Sequence, residues 1–302
     1  MTAPTPERTR WVAPWRNPWP RPFFIGSLTW VFVVWTLLPV LIAIAFSFNN
    51  GRSLGVWSGF TFDWYCCGGP DSVADGGSVV EDPQYLKALW NTLKLAFLTT
   101  LVSVPVGTAL ALGSMRWRSR AAKVTTVVSV VPIVTPVLVL GSAMYVVFLT
   151  AFSAMGFGMR AMVLGLATFS IAYVVLMVRA RLSSIGYAYE MAAQDLGASP
   201  LQALRTVLLP MLMPAIVASG AIVFSVALDD FVISNYLFGD SDNVTVPLVL
   251  YSVTRVAPTP VFNALATILI VATFLSLALT YVLLRMSRRG RQGSALDDIA
   301  GW

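Results

Sequence analysis

The chain has 302 residues, of which 57% are hydrophobic and 11% charged, with a net charge of +6. A soluble domain carries about a quarter charged residues, so this deficit points to an all-α, polytopic membrane protein. Histidine is absent and the only cysteines are the adjacent Cys66 and Cys67. That excludes an imidazole base or metal ligand, a histidine pH switch, a disulfide framework and a multi-thiolate metal site, so no metal, cofactor or catalytic residue is expected.

A hydrocarbon core of roughly 30 Å takes about 20 apolar residues in helix. The opening stretch "RWVAPWRNPWPRPFF" sets Trp11, Trp15 and Trp19 beside arginines, a composition suited to the headgroup layer. The apolar run behind it is too long for a cleaved signal peptide. Residues 1–22 therefore read as a cytoplasmic tail, 23–48 as the first span and 49–85 as an external loop. Further charge-free runs are Leu95–Met115, Val124–Met159, Ala161–Val178, Thr206–Leu228 and Val256–Leu284. The second of these exceeds one crossing, so the span is placed at Val124–Leu149 with "TAFSAMGFGM" as an outer turn. The total is six spans, with a core over 86–285 and a cytoplasmic tail over 286–302.

Prolines fall inside spans at Pro39, Pro105, Pro132 and Pro136. A bundle tolerates such kinks because neighbouring helices and waters satisfy the freed carbonyls. Small residues four apart, Gly107 with Ala111 and Ala215 with Ser219, allow close helix approach.

Lysines and arginines near span ends set orientation. Arg8, Arg10, Arg16 and Arg21 precede span one, and Arg116, Arg118, Arg120 and Lys123 lie between spans two and three. Arg179, Arg181 and Arg205 flank the loop between spans four and five, and Arg285, Arg288, Arg289 and Arg291 follow span six. These fifteen fall on one side, against Arg52, Lys87, Arg160 and Arg255 on the other. Both termini are expected in the cytoplasm. The positive balance is thus a topology signal, and no nucleic-acid partner is implied.

A P-loop needs lysine after glycine and before Ser or Thr, and none of Lys87, Lys94 and Lys123 has that setting. Gly51-Arg52-Ser53-Leu54-Gly55 fits G-x-S-x-G, but that motif works on a strand–turn–helix elbow with a histidine base. The chain has no histidine to serve it, so an enzyme is not expected.

The segment "EMAAQDLGASPLQALRTVLLP" is an unusually polar interruption between spans four and five. "YAYEMAAQDL" favours helix, and Gly197 can take the left-handed position that ends it. Ser199 then caps a second helix with Pro200 at its first position and Gln202 three residues after the cap. The first helix offers Glu190, Gln194 and Asp195 as polar groups beside the low surface of Ala192 and Ala193. By composition it either docks into another protein's groove or lies on lipid headgroups.

This segment resembles the "EAA" loop of type I permease subunits of ATP-binding-cassette importers, in which Glu-Ala-Ala is followed by three residues, Gly, and an apolar helix ending at Pro. Ala192, Ala193, Gly197, Ala198 and Pro210 fall on the pattern, whereas Met191 occupies the position of its acid, with Glu190 one residue earlier. "ALWNTLKLAFLTTLVSVPVGTALAL" resembles the start of the family's core, and the likeness runs from Leu86 to Arg285. The resemblance implies that Glu190, Met191, Ala192, Ala193, Asp195, Gly197, Ala198 and Ser199 form a coupling element between spans four and five. It implies as partners two ATPase subunits, a second permease subunit, an external substrate-binding protein and the lipid bilayer of the bacterial cytoplasmic membrane.

"SVALDDFVISNYLFGDSDNVTVPLVLYSVTRVAPTPVFNALATILI" resembles the spermidine/putrescine branch, in which a paired Asp follows span five. Carboxylates in or at the rim of a bilayer are costly and usually face an aqueous path, and aromatic faces attract cations. Asp229, Asp230, Phe231 and Tyr236 are thus candidate substrate-path residues, with Asp230 slightly ahead of Asp229. The alternative for the acids is a plain ending of span five in the headgroup layer. The competing functions are the same type of permease for an iron chelate, a sugar or another small solute, and an ion-coupled secondary transporter. The docking loop and the lack of inverted hydropathy repeats weigh against the last.

Overall fold

The computed structural model describes residues 23–51, 55–66, 77–116, 120–253 and 260–300. Trp11, Trp15, Trp19, Cys67 and the Arg52–Leu54 part of the G-x-S-x-G match lie outside the described residues. The helices are α1 (Phe23–Phe46), α2 (Pro83–Arg116), α3 (Arg120–Val134), α4 (Val137–Thr150), α5 (Met159–Ile185) and α6 (Ala188–Asp195). They continue as α7 (Pro200–Ala203), α8 (Leu209–Leu228), α9 (Val232–Leu237), α10 (Val246–Val253) and α11 (Pro260–Ala300). Among the described residues β pairing is confined to one isolated bridge between Asn49 and Phe60. A helical chain is what lipid requires, since each backbone N–H and C=O must be satisfied within its own segment.

Five of these helices or helix runs are long and apolar enough to cross a membrane: α1, α2, α5, the run Pro200–Leu228 and α11. The remaining crossing is not the straight Val124–Leu149 helix that the sequence suggests. α3 and α4 meet at a bend of 112° between Val134 and Val137. The cause is Pro136, which has no N–H to donate and disfavours the helical region at Thr135. Two further boundaries differ from expectation. α2 starts at Pro83, well before Leu95, because Lys87 and Lys94 interrupt the charge-free run without interrupting the helix. α11 continues past Leu284 to Ala300, so residues 286–300 extend the last helix.

Hydrogen bonds at the two faces show how the chain crosses. Near the start of α2, Lys87 Nζ pairs with Asp242 at 2.6 Å, and Asn91 Nδ2 donates to the carbonyls of Asp242 and Val244. At the start of α5 the Met159 N–H donates to Asn243 Oδ1. Both helices therefore begin at the face carrying residues 242–244. At the opposite face the Tyr187 hydroxyl, just beyond α5, donates to the carbonyl of Met115 in the last turn of α2 at 3.1 Å. α2 and α5 are thus parallel. The bent α3–α4 pair must carry the chain from one face to the other between them, and with it the crossings among the described residues number six.

α5 is the central helix of the bundle. Met162, Leu166 and Phe169 pack with Leu95 of α2, Phe148 of α4, Leu228 of α8 and Ile233 and Leu237 of α9. Val174, Val178 and Leu182 pack with Ala111, Leu208, Leu212 and Val223 nearer the α6 face. Lipid tails are as apolar as these side chains, so close packing replaces the hydrophobic drive. At Gly107 a Cβ would come within 2.6 Å of Val174 Cβ, and at Gly165 within 2.5 Å of Leu237 Cδ1. By contrast α1 has no buried residue in its apolar window and packs on α11.

Replacing Gly107 by Leu should force α2 and α5 apart and destabilise the bundle by about 1–3 kcal/mol or more, as overpacking does. Gly113→Ala, where nothing lies within 4 Å of the added carbon, should leave thermal stability in detergent unchanged. Equal melting temperatures for the two variants would contradict this packing.

Candidate functional site

The loop between α5 and α8 folds as its residues dictate. Gly186, with φ of 69°, turns the chain out of α5 and α6 follows. At the end of α6 the Gly197 N–H donates to Gln194 O at 2.8 Å and the Ala198 N–H to Ala193 O at 3.0 Å. This pairing is a Schellman motif, and Gly197 holds the left-handed position with φ of 90°. Ser199 Oγ accepts the Gln202 N–H at 3.3 Å while Gln202 Oε1 accepts the Ser199 N–H at 2.8 Å, the capping box the sequence suggests. Residues Leu204–Leu208 then form a π turn leading into α8. Pro210 follows it, with no N–H for the carbonyl one turn back.

α6 has two unlike sides. Glu190 is 5% exposed and lines a cavity of about 270 Å³ with Met115, Leu182, Ser183, Gly186 and Tyr187. That cavity lies between α6 and the ends of α2 and α5. Met191 is 58% exposed and Leu196 90% exposed, beside exposed Ala192 and Asp195, with Ala193 and Ala198 half-buried and Gly197 and Ser199 exposed. Successive residues on a helix point about 100° apart. Glu190 and Met191, the residue before the motif position and the one at it, therefore fall on different faces, the acid buried and the methionine exposed. Tyr189, Leu196 and Leu201, large and exposed, complete an apolar outer surface that motif matching alone does not single out.

The second candidate site lies where α8 ends. Asp229 is the C-terminal cap of α8, and it lines a cavity of about 380 Å³ between α1, α8 and α11. Val40, Leu228, Leu269, Ile270 and Phe274 make that cavity apolar, and Ser225 and Thr273 add hydroxyls. Asp230 is engaged otherwise: its Oδ2 accepts the Ser234 N–H at 2.9 Å and the Ser234 hydroxyl at 2.8 Å, fixing the first turn of α9. Phe231 lies against Tyr251 with ring centroids 4.4 Å apart. Tyr236 faces α4, 6.4 Å from the Tyr145 ring, over Gly141, where a Cβ would lie 2.6 Å from its ring. Of the four path candidates, only Asp229 lines this cavity. Its hydroxyl neighbours Ser225 and Thr273 were legible as polar residues inside apolar spans, whereas Val40 comes from a distant span and carried no signal.

A six-crossing bundle with a capped, two-sided loop between its fourth and fifth crossings defines a multi-pass membrane transport component. The chain belongs to the family of inner membrane components of binding-protein-dependent transport systems, whose description matches residues 103–290. It is 29% identical over 260 residues to the putrescine transport system permease protein PotI of Escherichia coli K12, covering 84% of this chain and 86% of that protein. It is also 29% identical over 268 residues to the spermidine/putrescine transport system permease protein PotC of the same organism, covering 89% and 96%. Its fold is that of a chain in a bacterial alginate ABC transporter crystallised with an alginate pentasaccharide-bound periplasmic protein. That match has a TM-score of 0.67 at 17% identity and covers 89% of this chain and 95% of that one. A chain of an amino acid ABC transporter crystallised with histidines matches at a TM-score of 0.53 and 26% identity, covering 68% and 94%.

Asp230→Ala should leave the Ser234 N–H and hydroxyl without their acceptor and lower stability by about 1 kcal/mol, with Asp230→Asn retaining most of it through the remaining carbonyl oxygen. Thermal unfolding of both variants in detergent measures the difference. No loss in either variant would show that the Ser234 contacts contribute nothing.

Proposed function

We propose that this chain is one permease subunit of an ATP-driven importer that moves polyamines into the cell by alternating access. The observation that carries the reading is the similarity to putrescine and spermidine/putrescine permeases over more than four fifths of the chain. The complete complex has two ATPase subunits, a second permease chain and an external binding protein. ATP hydrolysis belongs to the partners, because none of the three lysines sits in a P-loop. The excess of arginines around α6 supports a cytoplasmic position for that face and for both termini.

In this reading α6 seats in a cleft of the ATPase. Its outer surface of Met191, Ala192 and Leu196 supports an apolar contact, while Glu190 packs inward against the bundle and ties α6 to α2 and α5. ATPase closure then moves the bundle through a short rigid helix. Gly197 is required because the chain must turn sharply back toward the membrane.

The solute path runs past Asp229. A polyamine is a chain of ammonium groups separated by methylenes, and a carboxylate at the rim of an apolar cavity matches both parts. Asp230 is the structural member of the pair, since both of its bonds to Ser234 serve α9.

Two measurements on the assembled complex in proteoliposomes test these assignments. Gly197→Arg and Ala192→Asp should insert normally yet lose about tenfold or more of ATP-coupled uptake, the cost of placing an unpaired charge or a strained turn in a docking contact. Normal coupling in both would refute the docking role. Asp229→Asn should slow spermidine uptake without altering ATPase assembly, and an unchanged rate would remove Asp229 from the path. ATPase stimulation by a binding protein loaded with sugar or iron chelate, and not by one loaded with spermidine, would overturn the solute.

A further inference from the structure

The segment that follows α1 is organised around one buried polar side chain, Asn49, and carries Trp57, Phe60 and Phe62 exposed on its outside. Asn49 is fully buried and holds the turn together: its Nδ2 donates to Val56 O at 2.9 Å, its Oδ1 accepts the Ser58 N–H at 2.8 Å, and its carbonyl accepts Trp64 Nε1–H at 2.7 Å. Backbone bonds from Asn50 to Gly59 and from Thr61 to Phe48 close the two arms. Gly51 permits the approach, since a Cβ there would come within 2.4 Å of Ser58 Oγ. These bonds hold residues 48–50 against residues 56–64 as one wedge. A second tie, through Trp64, packs it on Val79 and Tyr85 and so onto α10 and α11.

Outside this polar centre the rings stack on one another. Phe48 lies between Phe60 and Tyr65 with centroids 5.3 and 5.2 Å away, and Phe62 stands edge-on to both Phe48 and Phe60. Trp57 meets Phe46, the last residue of α1, edge to face at 6.1 Å. Yet Phe60 remains 64% and Phe62 56% exposed. Exposed aromatics on this scale mark a surface that something apolar covers.

The position of the wedge selects what covers it. α1 has 24 residues, about 36 Å of helix, a little more than a hydrocarbon core of roughly 30 Å. None of its apolar window is buried within the chain. The wedge follows directly from the last turn of α1, at the face opposite α6, so its rings continue the exposed apolar surface of α1 at the end of a span. Aromatic side chains are enriched at the headgroup–acyl boundary because it suits an apolar ring with a polar edge.

We propose that this wedge is a lipid-interface foot, with Trp57, Phe60 and Phe62 inserted among the glycerophospholipids of one leaflet. It sets the depth of α1, a helix that has little protein contact of its own to fix it.

The test is nitroxide accessibility in the full chain, purified with its partner subunits and reconstituted in phosphatidylethanolamine–phosphatidylglycerol nanodiscs. Phe60→Cys and Phe62→Cys are labelled one at a time in a Cys66→Ser, Cys67→Ser background, with exposed Asp63→Cys as the water-side control. Val56→Cys, exposed and outside the stacked rings, serves as a further reporter should a label disturb the stack. The ratio of collision with oxygen to collision with a water-soluble nickel chelate should be several-fold higher at 56, 60 and 62 than at 63. Equal ratios at all sites would place the wedge in water and overturn the proposal. Shielding of 60 and 62 from both reagents would overturn it equally, by showing that another protein chain covers the rings.

Discussion

The parallel contact of α2 with α5 is the constraint on which the rest of the bundle depends. It is closed at Gly107 against Val174, where no Cβ fits, and pinned at one face through Lys87, Asn91, Met159 and residues 242–244. Two parallel neighbours separated by one stretch of chain leave that stretch a single task, to return across the membrane. The α3–α4 pair does so with a sharp bend at Pro136, and its second half then packs on α9, where Tyr236 covers Gly141. The other end of the contact, the Tyr187–Met115 hydrogen bond, holds the loop with α6 beneath the central helices.

That placement gives α6 its mechanical character. Glu190 is inside and Met191 outside, so the helix is fastened to the bundle by one side and presents an apolar surface by the other. The Schellman turn at Gly197 and the capping box at Ser199 satisfy backbone groups that would otherwise be left open at the helix ends. The buried side of that short, capped helix shares a cavity with Met115 at the end of α2 and Leu182 and Ser183 at the end of α5. α8 carries the same loop across to Asp229, about 43 Å of helix from Pro200. The two candidate sites are thereby opposite ends of one element, the run Pro200–Leu228.

Much of this was legible before any coordinates. Apolar runs revealed α1, α5 and the span before Asp229, because a bilayer imposes a minimum length that few soluble helices share. The helix–turn–helix from Glu190 to Pro210 was legible residue by residue, since Gly197, Ser199, Pro200 and Gln202 act through local geometry that needs no partner. Less was legible where charge and helix part company. Lys87 and Lys94 ended the charge-free run before Leu95, but at a bundle rim a lysine can pair with an acid or reach water, and the helix starts at Pro83. Pro132 and Pro136 announced a kink and not its 112°, which depends on what α4 packs against. In the acid pair, adjacent and chemically identical residues differ only in what surrounds them: Ser234 takes Asp230, and a cavity walled by three helices receives Asp229.

By itself, then, the sequence determined the protein's class, its all-helical character and the caps of the loop between α5 and α8, because hydropathy, charge placement and capping are properties of neighbours along the chain. Only the tertiary structure decided that α2 and α5 are parallel, that Glu190 turns inward and Met191 outward, and that Asp229 lines a cavity while Asp230 serves a helix. Each of those outcomes turns on contacts between residues tens to hundreds of positions apart, or on the face a side chain presents. Close packing settles such choices, and composition does not record them.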